Sequence, residues 1–348
     1  MRRAAALLLA AALLLLCGCG GRSTPQDGRL RVVATLFPYY DFARVIGGED
    51  AAVTLLVPAG RETHSFEPTP MDVITVSEAE VFLYNGGESE FWVDEILESA
   101  GEDIPCVLRG MELLDEALEE EPIRDGQVTT DHDHDHDHDH NHDHDHDHDH
   151  DHDHDHDHDH DHGHGGDGDA EEAEYDEHIW TSPVVAMTLC RGICEALCTA
   201  DPDHAEGYRA RTEAYLQDLE DLDAAFRRVV EEGVRRELVF GDRFPFLYFV
   251  REYGLTYAAA FHGCSSDTEP SLRTLRRLID RVQQAHIPVV YTIELSSGKV
   301  ADAIAEVTGA RRLTFHSCQS VTRQEFEGGA SYLSLMWENV AALREGLS

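Results

Sequence analysis

Over residues 131–165 the chain alternates carboxylate and imidazole. A histidine stands at every even position from 132 to 164, which is 17 of the 23 in the sequence, and aspartate fills the odd positions up to 161 except at Asn141. Nothing in this run can be buried in a core and its carboxylates repel one another, so it predicts a disordered loop rather than part of a fold. Its donors are His132, His134, His136, His138, His140, His142, His144, His146, His148, His150, His152, His154, His156, His158, His160, His162 and His164. Imidazole suits zinc, copper and nickel, and the interleaved carboxylates add oxygen donors and negative potential. A tract without fixed geometry predicts several weak, exchanging sites. It reads as a gatherer of metal ions, with any selective site elsewhere in the chain; the bland alternative is a solvated spacer.

The chain opens Met1-Arg2-Arg3, continues with 13 apolar residues (4–16), and then reads Cys17-Gly18-Cys19. A cationic start, a short apolar stretch and small residues after it describe a secretory signal, and the stretch is shorter than the roughly 20 residues a membrane-spanning helix needs. Leu16-Cys17-Gly18-Cys19 resembles a bacterial lipobox. The resemblance implies a signal peptide over residues 1–18, lipidation at Cys19, a tether over 19–28, and an extracytoplasmic protein anchored to the bacterial membrane. An ordinary signal peptide cleaved nearby is the alternative. The formal charge of −42, of which residues 131–161 supply 15 negative charges, disfavours nucleic acid as a partner and favours cations.

Beyond the tether, apolar runs alternate with helical patterns. Strands are predicted over residues 29–36, 52–57, 81–85 and 105–108, with helices over 39–46, 70–77 and 91–99 between them, and the acidic insertion occupies about 116–174. A helix follows over 182–198. The apolar positions Tyr208, Tyr215, Leu219, Leu222, Phe226 and Val229 then mark a long helix over about 205–236. A second series predicts strands over 237–241, 256–261, 288–294 and 312–316 and helices over 245–253, 271–285, 299–308 and 332–347. The reading is an α/β protein of two lobes, 29–200 and 237–348, each with a parallel-type sheet flanked by helices, joined through a long linking helix within 201–236. Ligands of such sheets bind beyond the carboxyl ends of the strands, so a metal cleft between the lobes is the place to look.

Six histidines lie outside the tract. His64, His178 and His316 fall at the edges of elements that such a cleft would gather, and His262 also follows a strand. His204 follows an Asp-Pro turn and His286 ends a helix, where a cap is the simpler role. Cys190, Cys194 and Cys198 recur every fourth residue on one helix face. Three thiols so placed could bind metal, but small apolar packing is the reading taken here. Cys264 and Cys318 each follow a second-lobe strand, which suggests a disulfide whose connectivity sequence cannot fix.

HSFEP followed by Thr69-Pro70, and DEHIWTSP at 176–183, resemble the first two ligand motifs of the zinc and manganese solute-binding proteins of ABC transporters. The lipobox, the histidine-rich insertion between those motifs and the long helix resemble the zinc-selective, ZnuA-like branch. FVREYGL, TEPS and YTIE extend the likeness over nearly the whole mature chain. The resemblance implies a non-enzymatic receptor that captures Zn²⁺, rather than Mn²⁺, and delivers it to an ABC permease, and a chain of this kind is expected to be a monomer. It makes His64 and His178 ligands. The family's third ligand, usually His, falls at Arg243, which cannot bind a cation while protonated; Asp242 beside it is able to substitute. The nearest match to the last ligand is His316, with Glu294 as another oxygen donor. Four protein ligands would close the site to a substrate water. The rival functions are a zinc-dependent hydrolase, with Glu294 or Asp242 as base, and a metal-buffering or adhesin lipoprotein; neither an HExxH helix nor a nucleophile elbow is present.

Overall fold

A computed structural model describes residues 28–100, 104–114, 118–119, 175–263 and 270–348. The signal segment, Cys19, the Asp/His run and Cys264 lie outside the described residues. Strands β1 (Leu30–Ala34), β2 (Ala51–Leu55), β3 (Val81–Tyr84) and β4 (Cys106–Arg109) form one parallel sheet in the order β2-β1-β3-β4. β1 reads LRVVA and is buried at every position but Arg31, the near-continuous apolar run of a strand covered on both faces. Helices α1 (Phe37–Gly47), α2 (Pro70–Ser77) and α3 (Val93–Ala100) cover that sheet. A proline in the first turn starts α1, and α2 begins with a reciprocal cap between Thr69 and Asp72.

Helix α4 (Pro183–Ala200) leads to α5 (Ala205–Glu232), whose 28 residues span about 42 Å at the helical rise. All six apolar positions that marked this helix in the sequence are buried. It stops four residues short of the predicted end because Gly233 turns to extended backbone. The second sheet contains β5 (Glu237–Phe240), β6 (Thr256–Ala259), β7 (Val289–Thr292) and β8 (Arg311–Thr314), again all parallel, in the order β6-β5-β7-β8. Its helices are α6 (Leu247–Tyr253), α7 (Leu272–Gln284), α8 (Lys299–Thr308), the short α9 (Arg323–Glu327) and α10 (Tyr332–Leu347). The fold is thus the expected pair of α/β lobes joined by a long helix, and α9 is the addition.

The two lobes share one apolar core. A single cluster contains Val32 and Leu83 from the first sheet, Leu189 and Ile193 from α4, Leu219 and Phe226 from α5, and Phe240 and Tyr291 from the second sheet. Buried polar contacts fix their relative placement: the Trp180 indole N–H donates to Ser317 O at 2.8 Å, the Tyr332 hydroxyl donates to Trp180 O at 2.7 Å, and the Tyr332 N–H donates to Asp41 Oδ2 at 2.8 Å. Near the crevice Gly60 N–H donates to Val321 O at 2.7 Å.

One buried carboxylate organises the end of β3. Glu90 Oε2 accepts the N–H groups of Asn85 and Gly86, both at 2.7 Å, and Asn85 in turn accepts the Tyr39 hydroxyl and donates Nδ2 to Glu177 O at 2.8 Å. Burial, reinforced by the charge of Glu177, pushes the Glu90 carboxyl up to about 7 despite its two amide donors. A folded-state value above the unfolded one favours the fold while the group is protonated, and that advantage fades as pH rises through the interval. Glu90→Gln keeps an acceptor and removes the titration. In the zinc-free protein its stability relative to wild type is expected to rise by about 3 kcal/mol between pH 4.5 and 7 and then level off, measured by denaturant unfolding. A difference that does not change with pH would show that Glu90 is not buried in this way.

Candidate metal centre

The loop after β2 tightens into a single 3-10 turn at Thr63–Ser65, which carries His64. A second such turn, Ile179–Thr181, sits just before α4, with His178 as its N-cap residue and Glu177 one step earlier. Thr181 Oγ1 donates to His178 O at 2.8 Å, and α4 begins with Ser182 as cap and Pro183 in the first turn. The chain is therefore held on both sides of His178.

Among the described residues, His64, Glu177 and His178 bring one donor atom each to within 4.8 Å of one another. Glu177 and His178 are buried and His64 is half-buried. His178 Nδ1 lies 3.1 Å from Asp176 Oδ1, which also accepts the His178 backbone N–H at 2.8 Å. A proton on Nδ1 donated to Asp176 leaves the Nε2 lone pair for a ligand, the usual arrangement behind a ligating imidazole. The Trp180 ring meets His178 edge-on, 5.6 Å between centroids, and limits its tilt. Glu177 Oε2 accepts Ser89 N–H at 2.9 Å, while Oε1 is buried with no hydrogen-bond partner. The buried Nε2 of His64 likewise lacks one.

Burial depresses the His64 pKa, and the charges of His178 and Arg243 push the same way against Glu177 and Glu62. The ring is thus disposed to be neutral, the form that binds metal. Gly87 permits the approach of Glu177: a Cβ there would stand 2.0 Å from Glu177 Oε2.

Arg243 is at the site but not as a donor. Its Nη2 contacts both carboxylate oxygens of Glu62 at 3.0 Å, linking the loop that carries His64 to the second lobe. The pair is partly exposed, 18% for Arg243 and 40% for Glu62, so its contribution is at most about 1 kcal/mol.

The second-lobe candidates are not gathered with the first three. Asp242 uses Oδ1 to accept Arg243 N–H at 2.9 Å and Oδ2 to accept Ile293 N–H at 3.3 Å, tying the ends of β5 and β7 together. Glu294 accepts the Ser317 N–H at 2.7 Å and its hydroxyl, tying β7 to the segment after β8. His316 exchanges backbone hydrogen bonds with the Asn339 side chain, 2.7 Å each, and its Nε2 lies 3.4 Å from Glu338. Asp242 and Glu294 thus join strand ends within the second lobe, and His316 holds the end of β8 to α10. Cys318 is a buried thiol, and Cys264, its suggested disulfide partner, lies outside the described residues. The Cys318 sulfur lies 4.0 Å from His316 O. His204 pairs with Asp201 at 2.7 Å on the surface, and His286 takes a left-handed φ of 51° just after α7, as a helix-terminating residue does. Glu177 was not singled out from the sequence. Two acids precede His178, and the sequence does not say which of them turns inward with the imidazole.

Two imidazole nitrogens and one carboxylate oxygen form a set suited to zinc, with a fourth position that no described residue fills. The comparisons agree with that chemistry. The high-affinity zinc uptake system protein ZnuA of Bacillus subtilis (strain 168) is 28% identical over 342 residues, covering 96% of this chain and 94% of the relative. The zinc-binding lipoprotein AdcA of Streptococcus pneumoniae (strain ATCC BAA-255 / R6) is 28% identical over 348 residues, and there the match spans only 61% of the relative. Among solved structures, the metal-dependent lipoprotein YcdH from Bacillus subtilis superposes with a TM-score of 0.68 at 26% identity, covering 92% of this chain and all of that one. Residues 32–346 match the family described as ZnuA, zinc-uptake complex component A periplasmic, and the chain belongs to that family.

Proposed function

We propose that this chain is the extracytoplasmic zinc receptor of an ABC importer, anchored through a lipidated Cys19, that holds Zn²⁺ between His64, His178 and Glu177 and hands it to the permease. The convergence of those three donor atoms within 4.8 Å carries the reading. Family membership supports a carrier over a hydrolase. The three-donor set differs from the closed four-ligand site expected from the sequence, and the open position suits a cargo that must leave. It admits water or an incoming donor during transfer without first breaking a protein–metal bond. Glu177 binds through one oxygen, because Ser89 holds the other. The negative carboxylate and the two neutral rings leave the loaded site with a net charge of +1, which Asp176 behind His178 offsets.

In this reading Arg243 guards the site without binding the ion. Its charge is neutralised by Glu62, so the entrance does not repel a cation. The Asp/His run gathers ions near the membrane, and the cleft selects among them. In this reading the chain acts as a monomer.

Calorimetric zinc titration of the mature chain with residues 131–165 deleted is expected to give one tight site. His64→Ala and Glu177→Gln should each weaken it by more than about 100-fold, and Asp176→Asn by about 10- to 100-fold through loss of the orienting acceptor. Arg243→Ala, Asp242→Asn and His316→Ala should keep affinity within about tenfold of wild type. Tight binding that survives both His64→Ala and Glu177→Gln would refute the assignment. Gly87→Ala tests the same geometry from the backbone side. The added methyl must displace Glu177, so zinc affinity is expected to fall about tenfold or more while the ultraviolet circular dichroism stays that of the wild type.

A further inference from the structure

Away from the cleft, α4 and α5 flank a half-open pocket of about 410 Å³ bordered by Arg191, Glu195, Arg209 and Glu213, onto which Cys194 and Cys198 face. The two sulfurs are 4.0 Å apart, one helical turn from each other on α4, and the Cys198 thiol also reaches Ala205 O at 3.6 Å. Both are free, and Cys194 is buried while Cys198 is half-exposed. Cys190, a turn earlier, is wholly enclosed in the core, and burial raises its thiol far above the usual range, so it remains a packing residue.

We infer that Cys194 and Cys198 form a second metal site, for a soft monovalent d¹⁰ cation of the Cu(I) class, independent of the zinc cleft. The geometry favours metal over a disulfide. A sulfur–sulfur bond of about 2.05 Å would require the thiols to close by roughly half their separation within a continuous helix. A bridging ion needs no such movement. With metal–sulfur bonds of about 2.3 Å, sulfurs 4.0 Å apart subtend about 120° at the ion, a trigonal rather than tetrahedral angle. Among the described residues no third His, Cys, Asp or Glu donor joins this pair at ligand spacing. A four-coordinate ion such as Zn²⁺ is therefore poorly served, whereas thiolate softness and low coordination number suit Cu(I). The cavity leaves the third position to a small exogenous ligand.

Binding replaces two S–H bonds by two metal–sulfur bonds and releases two protons to solvent, with no change in oxidation state. The pair with its ion then carries one negative charge. The two arginines and two glutamates of the cavity wall balance one another, so the wall does not oppose that charge.

The test is anaerobic delivery of Cu(I), as its bicinchoninate complex, to the reduced full-length mature chain and to Cys194→Ser/Cys198→Ser. The acidic histidine run contributes equally to both, so the difference reports the thiols. Wild type is expected to withdraw one more Cu(I) per chain than the variant and to show thiolate-to-metal absorption in the near ultraviolet. In wild type alone, Cu(I) loading should slow iodoacetamide alkylation of Cys198 at least tenfold, mapped by mass spectrometry, which decides the matter even if the variant folds poorly. Equal uptake with unchanged alkylation would overturn the site, and equal protection by Zn(II) would overturn its assignment to a monovalent ion. Zinc stoichiometry at the cleft should be the same in both proteins.

Discussion

A carboxylate oxygen removed from water and met by no donor is unfavourable by roughly 1–3 kcal/mol or more, and Glu177 Oε1 is such an atom. Its neighbours do not relieve it. Ser89 satisfies only the other oxygen, and the nearest polar groups at ligand distance are imidazoles, one of which burial inclines to neutrality. A divalent cation satisfies all three donors at once. In the proposed site a bound ion would meet that need, and the surrounding contacts hold Glu177 towards the two imidazoles. Gly87 leaves space for its carboxylate, Asn85 holds the Glu177 carbonyl, and Glu90 pins the Asn85–Gly86 turn from beneath.

All three donors of the proposed site come from the first lobe and the segment entering α4, and the second lobe faces them across the crevice. Its contributions are the Arg243–Glu62 pair and the segment 317–321, which accepts Trp180 and Gly60 from the other side of the crevice. The exposed ion pair is too weak to set the spacing between lobes. The shared apolar core and the buried Trp180, Tyr332 and Asp41 contacts do that. The frame between the lobes is thus buried, while the pair near the candidate site is exposed and weak.

Much of the architecture was legible in the chain itself. Short apolar runs became the eight strands within a few residues, and the six apolar positions of α5 defined that helix because a 3.6-residue period has no other use over such a length. Helix α9 was missed. It has only five polar-rich residues, and its one signal was the cap pair Thr322 and Glu325. At the site, His64 and His178 stood out because histidine is scarce outside the acidic run. Asp242, Glu294 and His316 stand at strand ends, a position shared by ligands and by structural caps, and the structure gives each of them hydrogen bonds within the second lobe. Glu177 was invisible for a related reason, since which of two adjacent acids faces a ligand depends on backbone direction. What the Asp/His run does lies outside the described residues and rests on its composition.

In the proposed site Glu177, and not a second-lobe group, completes the imidazole pair. The most direct measurement is a zinc-edge anomalous difference map from crystals of the zinc-loaded chain. One strong cleft peak is expected about 2.0–2.2 Å from His64 Nε2, His178 Nε2 and Glu177 Oε1, with Arg243 still on Glu62. A peak coordinated by Asp242, Glu294 or His316, with Glu177 turned away from the ion, would contradict it.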